Sequence, residues 1–298
     1  GYDDDLSISG VGYDIACGNK AVRLDLPHAE IAPRTQAILA DIARAISFGL
    51  GRRNRERVDH PLFDSDLWDA AGVRDLKGMA QDQLGTVGGG NHYVDLFADA
   101  EGFVWIGVHF GSRGLGHRIT TKYLQHAKAK GDMLAPPALL PAASSAGQGY
   151  LAGVELAGLY AYAGRDWVTE RVRRILGGRV TDEVHNHHNF VWRERHRGRD
   201  LWVVRKGATP AFPGQRGFVG GSMGDDAVIL EGVEGERSRA ALYSTVHGAG
   251  RLFSRKEAFR RFSRDQLESW LAERGVMLAG GDLDESPMAY RRLPEVLA

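Results

Sequence analysis

The chain has 298 residues, of which 43% are hydrophobic and 26% charged, a composition that excludes intrinsic disorder and supplies enough apolar surface for a core. Lysine plus arginine and aspartate plus glutamate are equal at 38 each, so a nucleic-acid partner would be held by local basic patches and not by a global field. The single cysteine excludes an intrachain disulfide, and with neither a signal peptide nor a membrane-length apolar run we expect a cytoplasmic protein without a membrane partner.

The apolar periodicity predicts helices and strands that are joined by glycine-rich turns, without repeats and without a linker that would divide the chain. Helices are expected over about residues 32–50, 115–134, 151–176 and 250–274. Strands are expected over residues 103–110, 201–204 and 240–246. Residues 135–149 and 208–224 are predicted as loops, and the second loop is long enough to indicate a function in a compact domain.

The cysteine, Cys17, lies three residues after Asp14 in the segment Gly12–Gly18. Glycines on both sides let the backbone approach a bound group closely, and a carboxylate and a thiolate at this spacing suit half of a metal site. A lone cysteine is also typical of a buried small hydrophobic residue. The segment alone leaves both interpretations open.

Histidines follow glycine-rich or strand-ending segments further along the chain. His92 follows three glycines, and His109 ends an apolar strand just before a Gly-Ser-Arg-Gly loop whose N–H groups and guanidinium suit a phosphate or sulfate. Other histidines stand at positions 185, 187, 188 and 247. Each alone is typical of a structural histidine. Together with Asp14 and Cys17 they indicate a site for Mn, Zn, Fe or Co, among which ligand softness does not choose.

Seven ordered motifs resemble the motif set of the RtcB-type RNA ligases. They are Gly-Tyr-Asp14-Ile-Ala-Cys17-Gly, Gly85-Thr-Val-Gly-Gly-Gly-Asn91-His92, Val108-His109-Phe-Gly-Ser-Arg113, His187-His188-Asn189, Arg205-Lys206-Gly-Ala-Thr, Gly221-Ser222-Met-Gly and Ser244-Thr-Val-His247-Gly-Ala-Gly-Arg251. Seven motifs in order are far more specific than any one glycine loop. The resemblance implies that residues 1–298 form a single large α/β domain of that family's fold, around a central metal-lined cleft.

The resemblance also implies an RNA ligase that uses GTP and two Mn²⁺ ions to join a 3′-phosphate or 2′,3′-cyclic phosphate end to a 5′-hydroxyl end. His247 would take GMP and pass it to the RNA 3′-phosphate as an RNA(3′)pp(5′)G end. One Mn²⁺ would be held by Cys17, His109 and His188 with His92. Asp14 would hold the second, with Cys17 and His92 shared. A neutral imidazole attacks without a separate base, because most of it is unprotonated at pH 7.

Further residues receive supporting roles from the same resemblance. The nucleotide pocket would be lined by Asn91, Asn189, Ser222 and the backbone of Ala249 and Gly250. The terminal RNA phosphate would be bound by Arg113, Lys206 and Arg251, since a guanidinium presents a fork and an ammonium a point charge. Asp95 stands where the family commonly has glutamate, and its shorter side chain is expected to loosen recognition of guanine.

The chain departs from the family pattern at both ends. The upstream Asp-x-His-x-Gly-Lys-Gly segment and a lysine-bearing C-terminal tail are missing, so we expect either a trimmed sequence or a reduced nucleotide site. Two alternatives stay open: an enzyme that caps or repairs 3′-phosphate ends with weak sealing, and an RNA-binding paralogue or metal-dependent phosphodiesterase. The expected partner is RNA with the ends named above, and the resemblance leaves room for an accessory activating protein.

Overall fold

The computed structural model describes residues 1–128 and 136–298. The strands are β1 (Asp5–Ser7), β2 (Gly18–Pro27), β3 (Tyr93–Ala98), β4 (Phe103–Phe110), β5 (Leu139–Pro141), β6 (Val180–His187), β7 (Phe190–His196), β8 (Arg199–Arg205), β9 (Ala208–Pro210), β10 (Arg216–Val219), β11 (Val228–Glu231) and β12 (Ser244–Val246). The α-helices are α1 (Ile8–Val11), α2 (His28–Ile31), α3 (Thr35–Ala45), α4 (Leu67–Ala70), α5 (Lys77–Gln83), α6 (Arg113–His126), α7 (Ser145–Leu176), α8 (Glu236–Ala240), α9 (Arg255–Arg261), α10 (Arg264–Glu273) and α11 (Leu293–Leu297). The mixed α/β class expected from the sequence is confirmed.

A four-stranded antiparallel sheet with the order β3-β4-β2-β6 forms the centre of the molecule. The first residue of β2, Gly18, is paired with Phe110 at the end of β4 and with His187 at the end of β6. Asn19, one residue further along β2, lies opposite His109. The segments that precede β2 and follow β6 therefore meet beside the end of β4, at one end of the sheet.

The 32-residue helix α7 packs across this sheet. Ser144 caps its first turn by accepting a hydrogen bond from the Gly147 N–H at 3.0 Å, and Gly177, at a φ of 86°, ends it. Small residues let the helix approach the sheet closely: a Cβ at Gly164 would lie 3.2 Å from the Phe110 ring. Despite this length, neither α7 nor another helix in the described ranges is apolar enough over a sufficient stretch to cross a bilayer.

Smaller antiparallel pairs surround the sheet. The β7-β8 hairpin begins directly after His188 and Asn189, and β1 pairs with β5. Strand β12 pairs with β9 so that Val246 lies opposite Ala208. That pairing brings the loop before β9 next to the residue that follows β12, which is His247.

Several predicted elements are confirmed, with different bounds. The strand over 103–110 is confirmed, the helix over 151–176 begins earlier at Ser145, and the strand over 201–204 extends to Arg199–Arg205. The helix expected over about 32–50 ends at Ala45, because Ser47 and Gly49 form backbone hydrogen bonds with Val87 instead. Of the helix expected over 115–134, the structure shows Arg113–His126, and residues 129–135 lie outside the described ranges.

Other predictions are wrong. The strand over 240–246 is reduced to Ser244–Val246, since Leu242 and Tyr243 have positive φ angles that interrupt an extended chain. The helix over 250–274 is two helices, each begun by a capping serine, Ser254 and Ser263. The loops over 208–224 and 135–149 contain short strands that pair with distant segments. Strand β2 was not predicted, because polar residues interrupt its apolar pattern.

We predict that Gly18→Ala destabilises the protein, because a Cβ there would overlap the carbonyl oxygen of Asn186 and the backbone of His187. Denaturant unfolding should show a loss of roughly 1–3 kcal/mol in the free energy of unfolding. Gly235→Ala is the matched control, since its Cβ would meet only the Ser238 hydroxyl at 3.8 Å. Equal stability of the two variants would contradict the close pairing of β2 with β6.

Candidate metal centre

Three buried side chains converge at the end of the sheet described above. The ligand atoms of Cys17, His109 and His188 all lie within 4.8 Å of one another. The Cys17 sulfur is 3.4 Å from His109 Nε2, and the rings of His109 and His188 stack with their centroids 5.7 Å apart. One sulfur and two imidazole nitrogens in this arrangement form a ligand set for a transition metal.

A second group of ligand atoms adjoins the first. Asp14, Cys17 and His92 also bring their ligand atoms within 4.8 Å of one another. His92 Nε2 is 2.9 Å from the Asp14 carboxylate and 3.6 Å from the Cys17 sulfur. The sequence-based expectation places His92 in both groups, and its membership of the first group stays a prediction. Cys17 is common to both groups.

Sheet pairing explains how residues so far apart in sequence meet. Cys17 immediately precedes β2, His109 is the penultimate residue of β4, and His188 directly follows β6. The His188 N–H donates to the Cys17 carbonyl at 2.7 Å, which continues the β2-β6 pairing by one step. His92 follows Gly88–Gly90, and a Cβ at Gly88 would overlap its ring. The glycine at that position therefore makes room for the imidazole.

Two asparagines fix which ring nitrogen faces the cluster. Asn19 donates its amide N–H to the Phe218 carbonyl at 3.1 Å, so its oxygen must accept from His109 Nδ1, 2.8 Å away. Asn189 likewise donates to the Asp14 carbonyl and accepts from His188 Nδ1 at 2.9 Å. Both Nδ1 atoms therefore carry the proton, and both Nε2 atoms present a lone pair towards the cluster, where it can bind a cation.

An unpaired nitrogen of His188 supports the fit of these residues to a metal. Its Nε2 atom is buried and has no hydrogen-bond partner among the described residues. An unpaired buried nitrogen costs about 1–3 kcal/mol, and a metal ion is the partner that would satisfy it. The donor set of sulfur, imidazole and carboxylate suits Mn, Zn, Fe or Co.

Burial governs the protonation states of the cluster. Burial, reinforced by the Asp14 carboxylate, raises the pKa of the Cys17 thiol well above its usual value. Burial lowers the pKa of His188 to about 3 and that of His109 well below its usual value. Burial alone would raise the pKa of Asp14, but His92 lowers it. His109 and His188 are therefore neutral, and a bound cation would convert the Cys17 thiol to the thiolate that coordinates it.

Sequence reasoning missed a buried arginine behind the cluster. Arg165, on α7, is fully buried, and its Nη1 donates to the carbonyls of Ala16 at 2.9 Å and Phe110 at 2.6 Å. These carbonyls belong to the neighbours of Cys17 and His109 in sequence. The Arg165 Nε donates to His185 Nε2 at 2.9 Å. No local signal distinguishes Arg165 from the other arginines of α7.

His185 and His187 lie outside both ligand groups. His185 stacks on Tyr162 with ring centroids 3.8 Å apart, and His187 Nδ1 is 2.9 Å from the Tyr162 hydroxyl. Burial and the nearby Arg165 charge lower the pKa of His187 to about 3. These histidines pack around Tyr162 and Arg165.

His247 lies directly beside the first ligand group. Its ring centroid is 4.5 Å from that of His188, and a Cβ at Gly207 would stand 3.2 Å from its Cε1 atom. Gly207 also has a φ of 66°, which favours glycine. Burial lowers the pKa of His247, and a hydrogen bond with the Gly207 backbone opposes that shift only in part. His247 is therefore a neutral imidazole, able to act as a nucleophile next to the ligand atoms.

The residues expected to line a nucleotide pocket occupy three places. Asn91 approaches His109 Nε2 at 3.4 Å, and Asn189 accepts from the Gly207 N–H at 3.0 Å, so both border the ligand groups. Ser222 donates to the Asp225 carboxylate at 3.0 Å. Its segment and that of Ala249 and Gly250 adjoin through a bridge between Gly220 and Gly248.

Asp95 lies on β3, opposite Gly107 of β4. Asp95 is three residues after His92, and β3, which begins directly after His92, is an edge strand of the sheet. Burial raises the pKa of its carboxyl to about 7. Asp95 is half-buried on this strand, and its contact with guanine stays a prediction.

The three basic residues expected to bind phosphate differ in their contacts. Arg113 donates to Thr86 at 3.1 Å and to the Gly49 carbonyl at 3.0 Å, and its guanidinium packs against Gly88 beside His92. Lys206 lies over Gly12 and reaches the Ser9 carbonyl at 3.3 Å. Arg251 donates to Glu285 at 3.0 Å and to the Tyr290 hydroxyl at 2.8 Å. Arg113 adjoins the ligand groups, whereas Arg251 is engaged by the C-terminal segment, and their phosphate-binding roles stay predictions.

Comparison with known proteins identifies relatives over nearly the whole chain. A family model described as "tRNA-splicing ligase RtcB" matches residues 65–298. The tRNA-splicing ligase RtcB of Thermococcus kodakarensis is 30% identical over 98% of this chain and 77% of its own length. The RNA-splicing ligases RtcB of Escherichia coli K12 and Mycobacterium tuberculosis are 32% and 31% identical, over 97% and 98% of this chain and 78% and 85% of their own lengths.

We predict that Asn19→Leu weakens binding of a divalent cation by about 10–100-fold, because His109 loses the acceptor that fixes its ring. A Co²⁺ titration that follows the thiolate-to-metal absorption band measures this directly. Asn19→Asp, which keeps an acceptor oxygen, is expected to retain most of the affinity. Unchanged affinity in a folded Asn19→Leu variant would show that Asn19 does not orient a ligand.

Proposed function

The chain belongs to the RtcB family of tRNA-splicing ligases, and we propose that it joins RNA ends bearing a 3′-phosphate or 2′,3′-cyclic phosphate to a 5′-hydroxyl end, with GTP and two Mn²⁺ ions. The observation that carries this proposal is the position of His247, a neutral histidine next to two ligand groups that share Cys17. The proposal treats residues 1–298 as one ligase domain that acts in the cytoplasm.

Each ligand group is proposed to hold one cation. Cys17, His109 and His188 would hold the first, and Asp14, Cys17 and His92 the second. Two adjacent cations would neutralise charge on the α-phosphate and on the pyrophosphate leaving group. Asn19 and Asn189 keep the Nε2 atoms of His109 and His188 unprotonated, and Arg165 holds the backbone beside Cys17 and His109.

His247 is proposed as the nucleophile in the first step. Its unprotonated ring nitrogen attacks the α-phosphorus of GTP, a nitrogen–phosphorus bond forms, and the bond to pyrophosphate breaks. The second ring nitrogen then loses its proton. Its lowered pKa keeps the imidazole in the attacking form without a separate base. Asn91, Asn189, Ser222, Ala249 and Gly250 are proposed to surround the nucleotide, and Asp95 to contact the guanine.

The next two steps transfer GMP to RNA and then release it. An oxygen of the RNA 3′-phosphate attacks the phosphorus on His247, and the nitrogen–phosphorus bond breaks. The 5′-hydroxyl oxygen of the second RNA end then attacks the 3′-phosphate phosphorus, and GMP leaves. Arg113, Lys206 and Arg251 are proposed to bind the terminal phosphate. Among the three, Arg113 has the strongest support, because it packs against the loop that carries His92.

We expect His247→Ala to abolish formation of an acid-labile protein adduct from GTP labelled at the α-phosphate, because it removes the attacking nitrogen. The control is His126→Ala, an exposed histidine near the end of α6, which should retain the adduct. An adduct that persists in His247→Ala refutes the assignment. An adduct that forms without joined RNA would support the capping alternative.

A separate prediction concerns the ligand common to both groups. Cys17→Ser replaces the shared sulfur with a weak hydroxyl ligand, and we expect adduct formation at limiting Mn²⁺ to fall by at least about 100-fold. Cooperative unfolding of the variant, measured in parallel, establishes that the fold is intact. Full adduct formation by a folded Cys17→Ser protein at limiting Mn²⁺ is incompatible with a shared thiolate.

A further inference from the structure

An arginine-rich segment follows α3 and lies on the surface. Within residues 50–57, which we name the arginine loop, arginines occupy four positions and glutamate one: Arg52, Arg53, Arg55, Arg57 and Glu56. All five of these side chains are exposed. The chain as a whole has a formal net charge of zero, so this loop is a local concentration of positive charge.

The root of the loop is bound to the segment that precedes His92. The Gly49 N–H donates to the Val87 carbonyl and the Val87 N–H to the Ser47 carbonyl, each at 2.9 Å. Arg113 donates to the Gly49 carbonyl at 3.0 Å. Leu50 lies over Gly89, since a Cβ at that glycine would stand 3.6 Å from the Leu50 Cγ. The arginine loop therefore begins beside the segment that carries His92 and beside Arg113.

The arginines divide into two pairs with different contacts. Arg53 and Arg57 bind Asp82 at 3.4 and 2.7 Å, and the Asn54 N–H donates to the Asp82 carbonyl, so these contacts anchor the loop. Arg52 and Arg55 have no carboxylate within ion-pair distance in the described part of the chain. Two exposed guanidiniums are therefore available on a loop whose backbone is held in place.

Apolar side chains accompany these guanidiniums. Leu50 is 82% exposed and Phe48 is 38% exposed, although both are large hydrophobic residues. Exposed apolar faces next to arginines are the combination that binds single-stranded nucleic acid, in which bases stack and phosphates pair with guanidiniums. The carboxylates of an acidic peptide would pair with the arginines but would leave the exposed Phe48 and Leu50 side chains without a flat partner such as a base.

We propose that the arginine loop binds the phosphodiester backbone of the RNA strand whose 3′-phosphate enters the cleft, with Arg52 and Arg55 as the phosphate contacts. This inference rests on the proposed function, because it assumes an RNA end beside Arg113. The loop extends the phosphate site outward, from the terminal phosphate at Arg113 to the preceding phosphodiesters. It acts on RNA alone and takes no part in the transfer of GMP to His247.

The test uses the double variant Arg52→Glu/Arg55→Glu, which leaves Arg53 and Arg57 on Asp82 and so keeps the loop anchored. The matched control, Arg195→Glu/Arg199→Glu, makes the same change in net charge at the far end of the β7-β8 hairpin. Both pairs of arginines are exposed. Binding of a fluorescent 3′-phosphorylated RNA of roughly 12 nucleotides is measured by anisotropy over a series of salt concentrations. A 3′-phosphorylated dinucleotide serves as the short probe.

We expect the loop variant to bind the long RNA at least about tenfold more weakly than the control variant. Its logarithmic salt slope should be less steep by about 1.4, because each of the two phosphate contacts contributes about 0.7 for a single strand. The dinucleotide presents too few phosphodiesters to reach the loop, and its binding should change by less than about twofold. Labelling by GTP, in which no RNA takes part, should be the same in the loop variant and the control.

Each other outcome is decisive. Equal binding of the long RNA by the two variants overturns the proposal. An equal loss of affinity for the dinucleotide also overturns it, because that result would place the loop at the terminal phosphate. A loss of GTP labelling in the loop variant alone overturns it as well, because that result would place the loop at the nucleotide. A wild-type protein that forms no GMP adduct contradicts the proposed function, whereas the comparison of RNA binding still decides the role of the loop.

Discussion

One buried guanidinium forms hydrogen bonds with both of the chain segments that carry Cys17 and His109 in the candidate metal centre. Arg165 donates to the carbonyls of Ala16 and Phe110, which adjoin Cys17 and His109 in sequence. It reaches them from the middle of α7, the helix whose small residues permit close packing on the sheet. The sulfur before β2 and the imidazole at the end of β4 are thus held by one side chain, in addition to the strand pairing between them.

The same centre shows what the sequence could and could not predict. The resemblance to the RtcB motif set singled out Asp14, Cys17, His92, His109 and His188, whereas local features alone did not separate His188 from the other histidines. The division of these ligands into two groups depends on the register of β2 with β4 and β6, and the sequence carries no local signal for that register. Asn19 and Arg165 were missed for the same reason, since Asn19 acquires its role from His109, 90 residues away, and Arg165 from Phe110 and Ala16, 55 and 149 residues away. Strand β2 was missed because its polar residues face partners that only the fold supplies.

Charge and burial then connect the centre to its chemistry. Burial lowers the pKa of His109 and of His188 and raises the pKa of the Cys17 thiol, so these three ligands carry no positive charge. Bound cations would supply positive charge at this place. Burial also lowers the pKa of the neighbouring His247, which keeps its imidazole in the neutral, nucleophilic form. On the surface, away from the ligand groups, the distribution of charge is the opposite. There the arginine loop concentrates positive charge on the surface, where a polyanionic strand can reach it without desolvating a buried group.

The central claim is that Cys17 is a ligand shared by two cations. It is tested most directly by a crystal structure of the protein with bound Mn²⁺, measured with X-rays at the manganese absorption edge. The account predicts two anomalous peaks on either side of the Cys17 sulfur, one next to His109 and His188 and the other next to Asp14 and His92. A single peak, or peaks away from the sulfur, would contradict it.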